Sequence, residues 1–286
     1  MQIETIVIPA RDGFALTGTL YQPAINPTNT VVIINAATAV SQRFYKPFST
    51  FMAEQGYMAV TYDYRGIGAS KPATLRGFNA TAKDWVLLDM AGVIDWSQTT
   101  IQPRRLFHIG HSFGGQAAGL LPNSNRIDAM VTLSAQSGYW RMQGGIQKLS
   151  VAFHMYFTMP IFSFLFGYVP WSMFGSAEDL PKGVAQQWAK WCRQPAYLLD
   201  DDTLPLSRFQ QFHAPVLAYS FEDDDWGTRR SVDAMMRAYP NLSRRHVNPA
   251  SVGLKSIGHF GYFRAQSEKL WQETVQWLEQ TAPLRR

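Results

Sequence analysis

Cysteine is nearly absent. Cys192 stands alone in 286 residues, so no intrachain disulfide can close and no thiolate cluster can hold a metal. With Trp188 and Trp191 beside it, the thiol reads as a packing group rather than a nucleophile. The six histidines are scattered, without the His-x-x-x-His spacing of a helical metal site. No phosphate or dinucleotide fingerprint occurs either, so neither a metal nor a cofactor is expected. Charge is scarce at 16% of residues, and the formal surplus of +5 is spread over Arg104-Arg105, Arg229-Arg230, Arg244-Arg245 and Arg285-Arg286. These pairs form no basic stripe interleaved with aromatics, so nucleic acid is not an expected partner. The N-terminus lacks a basic segment followed by a long apolar run. No secretory leader is expected, and a cytoplasmic location is the default. Repeats, low-complexity tracts and Gly/Ser linkers are also missing.

What is present is a core-forming chain, 46% hydrophobic and 14% aromatic, with the composition of a globular enzyme-sized protein. Two β-rich runs, Ile3 to Pro9 and Ala15 to Tyr21, flank Arg11-Asp12-Gly13, a hairpin signal. Further runs follow at Val31–Ile34, Met58–Tyr62, Leu106–Ile109, Ala129–Leu133 and Val216–Tyr219. Several are continuously apolar, as parallel strands covered on both faces must be. Between them lie helical patterns: Phe44, Phe48, Phe51 and Met52; then Trp85, Leu88 and Trp96; and a closing helix with Leu270, Trp271, Val275 and Leu278. An antiparallel start followed by βα alternation predicts an α/β fold with a mostly parallel, doubly wound sheet.

One segment breaks the alternation. About eighty residues between Leu133 and Val216 show no obvious strand, and positions 149–177 contain no Lys, Arg, Asp or Glu. Phe153, Tyr156, Phe157, Phe162, Phe164, Phe166, Tyr168, Trp171 and Phe174 crowd this stretch. It reads as a helical cap inserted over the C-terminal edge of the sheet, which divides the chain into core (1–136), cap (137–212) and core (213–286). Its length would suffice for a membrane span. Pro160, His154 and scattered hydroxyls oppose that reading, and so does topology, because a span here would separate the candidate site residues that follow. A soluble cap with its own small core is expected ahead of peripheral membrane contact.

Ser112 ends an apolar run in Gly110-His111-Ser112-Phe113-Gly114, ahead of a small-residue, helix-compatible stretch. Gly-x-Ser-x-Gly places a hydroxyl at the tip of a tight strand-to-helix turn, where flanking residues must be small. A serine hydroxyl needs a base, and the base needs a carboxylate to fix its tautomer. His259, Gly-flanked in Ser256-Ile257-Gly258-His259-Phe260-Gly261, is the candidate base. His108 sits within a predicted strand, His111 is the variable position of the serine turn, and His213 precedes Ala214-Pro215. The acid should come from Glu222-Asp223-Asp224-Asp225, directly after a strand and before the histidine. Asp224 is preferred, with Asp225 and Asp223 behind it.

The chain resembles the α/β-hydrolase superfamily, in which these three motifs occur in the order Ser, Asp, His. Three further stretches are similar to a bacterial group of α/β-hydrolases related to serine aminopeptidases and monoglyceride lipases. They are Asn35-Ala36-Ala37-Thr38 through Arg43-Phe44-Tyr45, then Thr61-Tyr62-Asp63-Tyr64-Arg65-Gly66-Ile67-Gly68-Ala69-Ser70, and Gly258 through Arg264. The second reads as a structural turn. The resemblance implies an oxyanion hole built from the backbone amides of Phe113 and of Ala37, with Ala36 behind it. Many relatives carry His-Gly where this chain has Asn35-Ala36. The implied chemistry is hydrolysis of a small-molecule ester with an apolar acyl group through an acyl-serine. An aminopeptidase or amidase would need a carboxylate for the substrate amine, for which Glu178, Asp179 or Asp200–Asp202 are the candidates. An acyltransferase and a non-catalytic binding protein are the remaining alternatives.

Overall fold

A computed structural model of the chain describes residues 1–25, 27–175 and 177–282; the Arg285-Arg286 pair lies outside them. Eight strands form one mixed sheet: β1 (Gln2–Pro9), β2 (Ala15–Gln22), β3 (Thr30–Asn35), β4 (Met58–Tyr62), β5 (Arg105–His111), β6 (Ala129–Leu133), β9 (Val216–Phe221) and β10 (Leu242–Val247). Their spatial order is β1-β2-β4-β3-β5-β6-β9-β10. β1 and β2 pair antiparallel, β2 joins β4 antiparallel, and every later pairing is parallel. A separate ribbon pairs β7 (Tyr168–Val169) with β8 (Leu180–Pro181), where no strand was expected.

β3, β5, β6 and β9 are buried at every residue, because helices cover both faces. On these faces lie α1 (Lys46–Glu54), α2 (82–101) and α7 (Glu268–Thr281). α1 buries Phe48, Phe51 and Met52, side chains worth about 1.5–3 kcal/mol each when withdrawn from water. α2 departs from the expected face. Two of its stretches are wide π turns, which break the 3.6-residue period. The buried side is therefore Trp85, Val86, Asp89, Met90, Val93 and Ile94, while Leu88 and Trp96 are only half-buried.

The Asp63–Ser70 turn after β4 is a structural clamp. Asp63 accepts the Gln42 and Ala69 amides at 2.7 and 2.9 Å. Arg65 reaches Asp89 through Nε at 2.7 Å and grips both Asp12 oxygens at 2.7 and 2.8 Å, locking β4 to α2 and the first hairpin.

Between β6 and β9 run α4 (Gln147–Phe166), made continuous by one π stretch, and α5 (Lys182–Arg193); the short α3 (Phe113–Gln116) precedes them and follows β5. The aromatics here do not form the small core expected of them. Phe153, Tyr156, Phe157, Phe164, Phe166 and Phe174 are exposed. α4 buries only a narrow side, Val151, Met155, Met159 and Ser163.

Candidate active site

β5 delivers Ser112 at the centre of the sheet. The residue is held at φ 49°, ψ −114°, a backbone region costly for any side chain with a Cβ. The Ser112 amide donates to Leu133 O at 2.9 Å, and its carbonyl accepts the Gly115 and Gln116 amides at 3.0 and 2.9 Å. The turn closes only because its neighbours are bare. A Cβ on Gly110 would lie 2.5 Å from the Gly115 backbone, and one on Gly114 would strike the Asn35 carbonyl.

The loop after β9 supplies three carboxylates with three different positions. Asp224 meets His259: Oδ2 lies 2.9 Å and Oδ1 3.2 Å from Nδ1. Asp224 Oδ1 also accepts the Trp226 and Gly227 amides at 2.9 and 2.7 Å. Burial pushes its carboxyl up, but the adjacent imidazole and these amide donors hold it below its usual value. A carboxylate at Nδ1 fixes that nitrogen as the donor and leaves Nε2 free to accept a proton. Asp223 instead accepts the Ile257 and Gly258 amides at 2.8 and 3.0 Å, so it ties down the histidine loop. Asp225 is exposed beside Gly144.

Ser112 and His259 line one cavity of about 610 Å³. Among the described residues no hydrogen bond joins them, however. Ser112 Oγ donates to Gln136 Oε1 at a long 3.3 Å, Gln116 Nε2 donates to the same oxygen at 3.1 Å, and Tyr197 donates to Gln116 Oε1 at 3.0 Å. The glutamine pair escaped the sequence reading, since a glutamine carries no spacing signal of its own.

His111 is a further residue that the sequence undervalued. Its Nε2 lies 2.9 Å from the His259 carbonyl, which can only accept, so Nε2 carries the proton. Nδ1 then accepts from Tyr45 Oη at 2.9 Å, and Tyr45 Oη accepts the Ala37 amide at 2.9 Å. Burial, reinforced by the His259 ring, drives the His111 pKa down to about 3, so it stays neutral. This chain links the loop after β3, the serine turn and the histidine loop. It also occupies the Ala37 N–H that was expected to be free for an oxyanion. Among the described residues the amides of Phe113, Ala36 and Thr38 make no hydrogen bond, and Thr38 lines the cavity.

Much of the remaining wall is apolar, with Val151, Met155, Met159, Trp171 and Trp188 facing the cavity and Cys192 among them, while Ser41, Gln143, His154 and Arg264 are polar members of the lining. Burial pushes the Cys192 thiol up, which leaves it an inert packing group. No carboxylate lines the cavity among the described residues. Glu178 and Asp179 pair with Lys71 at 3.5 Å. Asp200 accepts the Ala196 amide, and Asp201 accepts from Trp191 and Lys190. Among the described residues no cluster of His, Cys, Asp or Glu could hold a metal ion.

Solved structures similar to this one share its architecture at low identity. An esterase from Pyrococcus furiosus is 17% identical, with 98% of this chain and 91% of that chain covered and a TM-score of 0.62. An esterase from Exiguobacterium antarcticum is 14% identical, with 96% and 100% covered and a TM-score of 0.62. An α/β serine hydrolase without lid from Xanthomonas campestris is 11% identical, with 100% and 98% covered and a TM-score of 0.58. The comparison with curated proteins gives no match. The α/β-hydrolase fold is thereby shown for this chain. Residues 25–168, half of the sequence, match the family model described as serine aminopeptidase, S33, and the chain belongs to that family of hydrolases.

Proposed function

We propose that the protein is a serine hydrolase cleaving carboxylic esters with an apolar acyl group. The observation that carries this reading is the Asp224–His259 pair, whose imidazole faces the same cavity as the strained Ser112. Binding of an ester would displace the long Ser112–Gln136 contact and let the hydroxyl turn to His259 Nε2. His259 then takes the proton as Oγ attacks the carbonyl carbon, Asp224 stabilises the imidazolium, and the tetrahedral oxyanion is held by backbone amides. Collapse expels the alcohol, protonated by His259, and water repeats the sequence on the acyl-serine.

Phe113 supplies one oxyanion donor. For the second, the Thr38 amide, which makes no hydrogen bond among the described residues, is more available than that of Ala37, whose hydrogen is already engaged by Tyr45. That no carboxylate lines the cavity among the described residues favours an ester over a substrate carrying a free amine. Amino-acid anilides should therefore be poor substrates beside esters.

A fluorophosphonate probe should label the native protein and not Ser112→Ala. That variant should also lose ester turnover by as much as about a millionfold. Persistence of turnover would place the nucleophile elsewhere. Each methylene buried against the cavity wall contributes ~0.8 kcal/mol, or at most roughly fourfold in rate. We expect kcat/KM to rise from p-nitrophenyl acetate to the hexanoate, and preference for acetate would overturn the assignment of the apolar wall to the acyl group.

A further inference from the structure

α4 presents two unlike sides. Ser150, Val151, Met155 and Met159 line the cavity that holds Ser112. A second side carries large apolar residues out to solvent: Leu149 is 58% exposed, Phe153 59%, Phe157 55%, Phe164 82% and Leu165 58%. Scattered apolar side chains are ordinary on a surface, whereas a continuous apolar face marks an interaction site. The helix is long and apolar enough to cross a bilayer. Its inner side, however, packs into the cavity wall and against α5, so crossing would dismantle the site.

The charges around this face are nearly all of one sign. Exposed Lys148 lies in the first turn of α4 and exposed Arg141 just ahead of it, stacked on Trp140 at 4.9 Å. Arg193 sits over Tyr156 at 5.5 Å, and Arg76 lies against Gly167 at the far end. At the root of the segment, Met142 shares an open depression with Arg229, Arg230 and Asp233 of α6 (Arg229–Met236), Arg237 just after it, and Arg244 of β10. Nearby acids have partners: Glu178 and Asp179 hold Lys71, and Asp233 holds Arg244 at 2.7 Å. Among the described residues, Asp225, beside Gly144, and Glu222 of the same loop are exposed and make no ion pair. Two copies meeting through this face would bring like-charged rims together, which disfavours self-association. An apolar face rimmed by cations complements an anionic lipid surface.

We propose that α4 lies in the headgroup region of an anionic bilayer, with its exposed side chains in the acyl boundary and the basic rim on lipid phosphates. This docking is independent of the hydrolase reading, so it is tested by binding rather than turnover. The full-length protein should float with phosphatidylcholine vesicles containing phosphatidylglycerol, much less with phosphatidylcholine alone, and less as salt is raised. Phe157→Ser and Phe164→Ser touch neither the cavity nor the core, so they should leave thermal melting unchanged while each lowers partitioning about tenfold. Arg229→Ala with Arg230→Ala should weaken binding to the anionic vesicles only. No flotation with either vesicle, or undiminished flotation of the doubly Phe-substituted variant, would overturn the proposal. So would a dimer in sedimentation that the two Phe changes dissolve, since the face would then belong to a second copy.

Discussion

Tyr45 stands at the junction of three loops. Its hydroxyl accepts the Ala37 amide and donates to His111, which in turn fixes the carbonyl of His259. Tyr45→Phe would strand a buried N–H and a buried imidazole nitrogen, at a cost of about 1–3 kcal/mol in stability. If Thr38 is the oxyanion donor, the freed loop loses its anchor, and kcat should fall with KM little changed. A rise in kcat would instead restore Ala37 as the donor, released from a competitor. At this scale the sequence was legible wherever chemistry demands a local pattern. Gly110 and Gly114 around Ser112 are such a pattern, because a Cβ at either would strike the backbone. Asp224 and His259 were picked by their order and their loops, and the structure brings those two together. Gln136 and Tyr45 were invisible because they act only through contacts across the fold, at sequence separations of 24 and 66 residues.

Among the elements, the buried strands β3, β5, β6 and β9 were readable because coverage on both faces makes their sequences apolar throughout. β10 was not: Leu242-Ser243-Arg244-Arg245-His246-Val247 is an edge strand with mostly solvated side chains, so no apolar alternation marks it. The face of α2 was misplaced because π turns shift which residues point inward, and because Asp89 is drawn inside by Arg65. The loop between β9 and α6 divides its work between adjacent carboxylates, and mutation should separate them. Asp224→Asn removes the charge that stabilises the imidazolium and permits the wrong tautomer, which should lower kcat by about 10⁴-fold. Asp223→Asn keeps one acceptor oxygen for the Ile257 and Gly258 amides, so only the placement of the histidine loop is loosened. Its loss should be far smaller, on the order of tenfold for a charge-assisted hydrogen bond. Steady-state kinetics on the two variants tests the division, and an equal or reversed pair of effects would transfer the imidazole partner to Asp223.

The whole molecule carries a liability to acid at its centre. His108 lies inside β5, with Nε2 donating to Gly114 O at 2.9 Å and Nδ1 accepting from Asn35 at 3.2 Å. Burial lowers its pKa to about 4, and that of His111, three residues further along β5 and so on the opposite face of the strand, to about 3. Both are neutral in the fold, and both would ionise near 6.5 in an unfolded chain. Between pH 6.5 and about 4 the unfolded state therefore binds two protons that the native state refuses. Stability rises with pH across that window, by about 1.4 kcal/mol per pH unit for each histidine. Asp224, held below the usual carboxylate value, adds its loss only beneath pH 3.8. Asp89 works in the opposite direction, because burial raises its carboxyl against the pull of Arg65, so the slope of the native protein alone mixes these groups. The difference between native protein and His108→Gln removes them. Urea denaturation at successive pH values from 7 to 4 should show the variant losing stability less steeply, by about 1.4 kcal/mol per unit. Parallel curves would mean that His108 is not held neutral, and that the hydrogen bonds from β5 to Gly114 and Asn35 do not set its protonation.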